Sequence, residues 1–250
     1  MPSTGRSPVT HMHGPRDGCL APLAQPSAMP GLGIRRLDMA TERSLVEALR
    51  AYSPLETERD LDPSAHDLEV FKDRLGIVMG IWLDDVLIAT IRFIPCRYGL
   101  TLAERPWAEV TRSKEGFCAR SWEVGRLIVA PAHRGMATLR ACLALALQEL
   151  IRTSNVQYLH ASCSPLMARL HRRFGFRTEK VFQSETGVQH VLIHARVNDV
   201  VRALGLVSRH QGRGLRDADV ALSVADPDTG KSSAGPDGDH AMLREVLCEE

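Results

Sequence analysis

Trp122-Glu123-Val124-Gly125-Arg126-Leu127-Ile128-Val129-Ala130-Pro131-Ala132-His133-Arg134-Gly135-Met136-Ala137 is the stretch on which the reading of the fold turns. An apolar strand carrying a Glu and an Arg runs into a Pro-bounded turn and a short Arg-Gly loop. A long amphipathic run starts directly after it. Such a loop presents unpaired backbone N–H groups at a helix N-terminus, which is an anion site. A strand that ends there with charged residues beside it points to an enzyme holding a phosphate-bearing donor.

Working outward, the helix is predicted over residues 136–152, with Leu139, Cys142, Leu143, Ala146, Leu147, Leu150 and Ile151 recurring at three- and four-residue intervals. A strand over 156–161 and a helix over 165–173, stopped near Gly175, follow it. Strands over 176–182 and 189–196 close the pattern. Upstream, a first strand spans 33–37 and a helix 41–51, with Thr41 as its N-cap and Leu45, Val46 and Leu49 on one face. Residues 53–67 are polar and turn-rich. Strands at 76–83 and 86–94 flank Asp84-Asp85, a hairpin signal, and 98–120 is a long insertion before the strand at 121–130. Early antiparallel strands followed by β-α-β-α-β predict an α/β fold, a mixed central sheet with helices on both faces.

The 250 residues divide into a leader over 1–32 rich in Pro, Gly, Ser and Ala, a folded domain over 33–205, and a largely disordered tail over 206–250 with a short helix near 241–247. The net charge of +1 excludes global steering to nucleic acid, and 5% aromatic content argues against a base-stacking surface. Cys19, Cys96, Cys118, Cys142, Cys163 and Cys248 form no CxxC pair, so they read as reduced thiols of a cytoplasmic protein, without structural zinc. His11 and His13 read as tail residues rather than a metal tract. No apolar run approaches the ~18 residues of a membrane span, and the leader lacks the apolar core of a secretory signal.

The order of elements resembles the GNAT acyltransferase superfamily. Its loop motif is Arg/Gln-x-x-Gly-x-Gly/Ala. Gly135-Met136-Ala137 matches the second half, and Ala132 stands where Arg or Gln is usual. Met167-Ala168-Arg169-Leu170-His171-Arg172-Arg173-Phe174-Gly175-Phe176 matches the family's Ala-x-x-Leu-Tyr-x-x-x-Gly-Phe, with His171 for Tyr. Glu123-x-x-Arg126 after a Trp, Arg92 in Arg92-Phe93-Ile94-Pro95, and Asp60-Leu61-Asp62-Pro63-Ser64-Ala65-His66 resemble the acyl-homoserine lactone synthase branch and the related N-acyl amino acid synthases. The resemblance covers residues 40–180 and implies transfer of an acyl chain from an acyl thioester, carried by acyl carrier protein or coenzyme A, to the amine of a small acceptor. No metal is implied. An acetyl-coenzyme A-dependent acetyltransferase and a non-catalytic thioester- or partner-binding module are the rivals.

Several residues carry this chemistry. Glu123 is the candidate base; the alternative is a structural salt bridge to Arg92 or Arg126. Arg92 and Arg126 are the resemblance's acceptor-end residues, since Arg forks bind carboxylates. Glu123 and Arg126 are three apart, so a regular strand puts them on opposite faces; one shared site requires a bulge, or one supporting the other from behind. Asp60, Asp62 and His66 are candidates to fold over the acceptor, or form a solvated turn. Val129, Arg134, Gly135, Met136 and Ala137 are the donor-binding candidates. His171 is the candidate proton donor to the leaving thiolate, because an ordinary His titrates near neutrality. Arg169, Arg172, Arg173, Arg177 and Lys180 form either a landing patch for an acidic carrier protein or coenzyme A phosphates, or a solvated face. No Gly-x-Ser-x-Gly elbow and no marked nucleophilic Cys suggest a covalent intermediate.

Overall fold

In a computed structural model, which describes residues 29–53, 56–104, 106–107 and 119–206, the strands form one seven-stranded sheet. They are β1 (Leu32–Arg36), β2 (Ile77–Leu83), β3 (Val86–Pro95), β4 (Ser121–Val129), β5 (Tyr158–Cys163), β6 (Arg177–Gln183) and β7 (Gln189–Arg196), in the order β1-β2-β3-β4-β5-β7-β6. The helices are α1 (Arg43–Arg50), α2 (Glu56–Leu61), α3 (Ala65–Leu75), α4 (Met136–Thr153), α5 (Pro165–Arg172) and α6 (Val197–Ala203). Residues 1–28 of the expected leader, 207–250 of the expected tail with its 241–247 helix, and 108–118 of the insertion lie outside the described residues.

All neighbouring strands run antiparallel except β4 and β5. The β2–β3 hairpin turns at Asp84-Asp85, and Asp84 takes the left-handed conformation (φ 52°) that a short polar side chain tolerates. Met79, Ile81, Ile91 and Phe93 join one large apolar cluster with Leu139, Leu147 and Leu150 of α4 and Val197, Val200 and Val201 of α6. Each such side chain, fully buried, contributes about 1.5–3 kcal/mol. Val78 faces the other way and packs with Leu37 and with Val46 of α1. Helices therefore cover both faces of a mixed sheet, the expected class of fold.

Three boundaries differ from the sequence reading. Thr41 does not cap α1: Asp38 gathers that turn, accepting from the Ala40 N–H and the Thr41 hydroxyl, and Glu42 occupies the N-cap position without a side-chain bond. β5 begins two residues later than expected, at Tyr158. The segment read as a polar turn holds α2 and the start of α3. Helix α3 runs against the usual rule, with Glu69, Lys72 and Asp73 buried and Phe71 and Leu75 exposed. Among the described residues no helix is long and apolar enough to cross a membrane.

Candidate active site

The site starts from an irregularity in β4. Gly125 pairs with Arg92 and Ile128 with Thr90, so Arg126 and Leu127 together face the single residue Ile91. This is a β-bulge, and Arg126 carries its strain at φ 50°, a conformation that costs a residue with a Cβ about 1–2 kcal/mol. The extra residue resets the alternation. Glu123 and Arg126 consequently reach the same side of the sheet, above Arg92, as a shared site requires.

β4 and β5 pair only from Ser121↔Tyr158 to Glu123↔His160. Beyond Glu123 the two parallel strands part, and the β4 edge facing β5 has no strand partner among the described residues. The gap is a cleft through the sheet. Its charged mouth holds Glu58, Arg92, Glu123 and Arg126, whereas Leu143, Leu147, Met167, Phe174, Phe176 and Val200 line its far side.

At the mouth, α3 turns its acids inward because three arginines await them. Arg50 Nη1 and Nη2 donate to Asp73 at 2.7 and 2.8 Å. Arg92 Nη1 donates to Glu69 at 2.8 Å and to Asp73 at 3.0 Å. These two guanidiniums hold the Asp73 carboxyl below its ordinary pKa against the opposing effect of burial. Arg126 is held more loosely. It lies 3.3 Å from the Ser53 carbonyl, 3.5 Å from Glu58 Oε1 and 3.3 Å from Glu69 Oε1, and its Nε makes no hydrogen bond. Burial lowers its pKa, only partly offset by Glu58 and Glu69. Arg126 is thus a desolvated cation on the cleft wall whose protein partners are long.

Glu123 sits at the fork of the strands and is nearly buried. Its Oε2 accepts the Ala103 N–H at 2.8 Å, which ties the 98–120 insertion to the site. Burial pushes its pKa up to about 7; the Ala103 N–H, Arg92 and Lys72 pull the other way. The carboxylate makes no ion pair within 4 Å with Arg92 or Arg126 among the described residues, which removes the structural salt bridge that the sequence left open. A carboxyl with a pKa near neutrality, facing a cleft, is poised to take or give a proton.

Other expected residues lie elsewhere. Asp60 binds Thr186 Oγ1 and, at 2.5 Å, His190 Nε2; these contacts hold its pKa down near 2 and latch α2 to the β6–β7 hairpin. Asp62 caps the entry to α3 through the Ser64 N–H and hydroxyl, and His66 is exposed. None of the three lines the cleft. The segment does fold over the mouth, but through Ser53 and Glu58. His171 lines the cleft against Phe176. Burial lowers its pKa to about 4, which argues against the expected titration near neutrality. Gly135 caps α4 in an extended conformation (φ 179°), and the first intrahelical bond runs from the Leu139 N–H to its carbonyl. Arg134, Gly135, Met136 and Ala137 stand outside the cleft wall; Val129 is buried, its carbonyl accepting from Arg134 Nε at 3.2 Å. Arg169, Arg172, Arg173 and Arg177 are exposed.

Sequence reasoning missed Glu58, Glu69, Lys72 and Asp73. The available signal was the spacing of Glu69, Lys72 and Asp73 at three and four residues, one helical stripe. Among the described residues no group of three or more His, Cys, Asp or Glu is arranged to hold a metal.

No family model matches the sequence, and no curated protein matches it. Solved structures do overlay on it. An uncharacterized protein of Bacillus halodurans has 14% identity and a TM-score of 0.48, over 70% of this chain and 88% of its own. FeeM, an N-acyl amino acid synthase from uncultured soil microbes, has 18% identity and a TM-score of 0.47, over 67% and 92%. A chimera of spermidine N-acetyltransferase SpeG from Vibrio cholerae and hSSAT has 16% identity and a TM-score of 0.46, over 69% and 99%. All three scores fall below 0.5.

Proposed function

We propose that this chain is a GNAT-type N-acyltransferase that moves an acyl group from a thioester donor to the amine of an amino acid or a related small molecule. The observation that carries the reading is the parting of β4 and β5 at a buried carboxyl whose pKa is about 7. An acyl-pantetheine arm is a narrow chain of amides ending in a thioester. The unpaired edge of β4 offers those amides a strand-like partner. The α4 N-terminus, with Gly135, Met136 and Ala137, receives a donor phosphate. The far side of the cleft is apolar and suits an acyl chain longer than acetyl.

At the mouth, Arg126 is the receptor for an acceptor carboxylate, because its own partners leave it under-compensated. Glu58 and Glu123 stand where an ammonium would follow. Glu123 takes one proton from the ammonium, the neutral nitrogen attacks the thioester carbonyl, and the carbon–sulfur bond breaks; the second nitrogen proton passes to the departing thiolate, which leaves as thiol. A base with a pKa near 7 is matched to this step at neutral pH. Arg92 positions Glu69 and Asp73 rather than touching the reactants. His171, neutral, lines the donor side and donates at most an N–H hydrogen bond. The exposed Arg169, Arg172 and Arg173 are the landing residues for a carrier protein.

The test is thiol release from acyl-coenzyme A and acyl carrier protein of several chain lengths, with and without an amino acid mixture, read together with mass spectrometry of the products. Acceptor-dependent thiol release and a stoichiometric N-acyl product support the reading. Donor binding without release would leave only a binding module, and activity confined to acetyl-coenzyme A would make it an acetyltransferase.

A further inference from the structure

Helix α3 presents its acids to the arginines beneath it, and this leaves its apolar residues facing solvent. Phe71 is 58% exposed and Leu75 is 40% exposed, one turn apart on the outer stripe. Beside that stripe runs a groove lined by Arg36, Arg43 and Arg74, with Val70 of α3 in its wall. Among the described residues Arg36 and Arg74 make no ion pair, and Arg43 pairs only with exposed Glu47. Of the groove's acids, Asp73 is neutralised by Arg50 and Arg92, whereas Asp38 accepts from neutral donors in the turn before α1 and keeps its charge. The surface is an apolar ridge flanked by the unpaired guanidiniums of Arg36 and Arg74 and by Arg43, which is tied to exposed Glu47.

We propose that this face of α3 docks on an anionic lipid bilayer, with Phe71 and Leu75 entering the interface and Arg36, Arg43 and Arg74 meeting headgroup phosphates. The shape favours lipid over protein. A ridge of two protruding side chains needs a matching pocket on a protein partner, whereas a bilayer opens around it. A second copy of the chain would need roughly 800 Å² per partner for a stable contact, far more than this ridge offers. Guanidiniums beside the ridge supply the attraction to anionic lipid that two apolar side chains alone lack. Asp67, one turn before Phe71 and exposed, is the acid on the stripe and limits insertion at that end.

The test is co-sedimentation of the full chain with phosphatidylcholine vesicles, with and without about one quarter phosphatidylglycerol. Binding should require the anionic lipid and weaken in about 0.5 M salt, where the screening length is a few ångströms. Phe71→Ser with Leu75→Ser should lower the partition coefficient by at least about tenfold at an unchanged melting temperature, because both side chains are exposed. Arg36→Gln with Arg74→Gln should remove the preference for anionic lipid, and Asp67→Asn should strengthen it. Equal binding to neutral vesicles, or full binding by the Phe71/Leu75 double variant, would overturn the proposal. So would a wild-type dimer that this variant dissolves, or carrier-protein binding that it abolishes, in the absence of vesicle binding; either would assign the ridge to protein.

Discussion

On one side of the sheet, α4 lays Leu139, Leu147 and Leu150 against Met79, Ile91 and Phe93. On the other, α3 lays Glu69 and Asp73 against Arg92, and Arg50 closes the cluster from the end of α1. The first side is held by area removed from water, which is non-directional and tolerant of exchange among apolar residues. The second is held by charges that must find one another at hydrogen-bond distance, because a desolvated ion without a partner is expensive. The cleft passes between the two and takes an apolar wall from one side and its reactive groups from the other. The difference teaches where chemistry is placed: the charged side supplies the base, and the apolar side supplies the room.

The comparison breaks hardest at Glu123. Glu123→Gln keeps the shape and the Ala103 contact but cannot take a proton, so turnover should fall about 10²–10⁴-fold while donor affinity survives. The acid limb of the pH–rate profile near 7 should vanish with it. Lys72→Met should instead move that limb to higher pH, since a nearby ammonium favours the carboxylate. Near-full turnover in the Gln variant, measured per folded molecule, would make Glu123 structural.

Next in size is the charge cluster. Asp73→Ala leaves Arg50 and Arg92 to share Glu69 alone and should destabilise the fold by about 3–5 kcal/mol, as for other broken buried pairs. Leu147→Ala on the opposite side should cost about 2–5 kcal/mol through lost burial and cavity, and should also admit bulkier acyl chains. Denaturant titration of both variants measures the costs. A small cost for Asp73→Ala would show that the charged side contributes specificity rather than stability.

The pH dependence of stability also separates the groups. Glu123 binds its proton more tightly folded than unfolded, so its contribution is full below 4.5 and is lost as pH rises through about 7. Asp73, with a lowered pKa, does the reverse: its contribution is present above 3.8 and is lost as pH falls. His171 acts in the same direction as Asp73: the unfolded state accepts a proton that the folded state refuses, so stability is lost as pH falls from 6.5 towards about 4. Melting curves should show Glu123→Gln gaining on the wild type at pH 8 relative to pH 5. No pH dependence in that difference would contradict the raised pKa.

Smaller effects belong to the donor entrance. Gly135→Asp should weaken donor binding about tenfold by placing a carboxylate at a phosphate site, an electrostatic loss of one to two kcal/mol. The fold should hold, because a Cβ there meets nothing within 4 Å and φ is extended. Unchanged donor affinity in calorimetry would remove the loop from the site. Smallest is Arg172→Glu with Arg173→Glu, which should raise KM for acyl carrier protein in dilute buffer and spare a short pantetheine thioester, since exposed charges are screened over about 8–10 Å at physiological salt. Equal losses on both donors would reject the landing patch.

Much of the apolar side was legible in the sequence. The three- and four-residue recurrence of Leu139, Cys142, Ala146, Leu147 and Leu150 marks α4, and two β-rich apolar runs around Asp84-Asp85 mark β2 and β3. Charged residues inside the apolar strand singled out Glu123, Arg126 and Arg92. The charged side was not legible in the same way. α3 has no inward apolar stripe to read, since its inner face is Glu69, Lys72 and Asp73. Asp60, Asp62 and His66 stood out as a polar cluster, but the structure ties Asp60 to Thr186 and His190 and Asp62 to the α3 entry, and His66 faces solvent.

By itself, then, the sequence determined the elements whose pattern is local: strands by β-rich apolar runs, helices by period 3.6, turns by Pro, Gly and Asp, and an acid in an apolar strand that had to have a purpose. Only the tertiary structure decided that Glu123 and Arg126 share a face, because one inserted residue in β4 reverses the alternation and nothing in a three-residue spacing announces it. It alone decided that Arg92 is tied to Glu69 and Asp73, 23 and 19 positions away, while Arg126 remains loosely held. Hydrophobic burial is set by how often a residue type recurs, whereas ion pairing and a carboxyl's pKa are set by which charges the fold brings within a few ångströms.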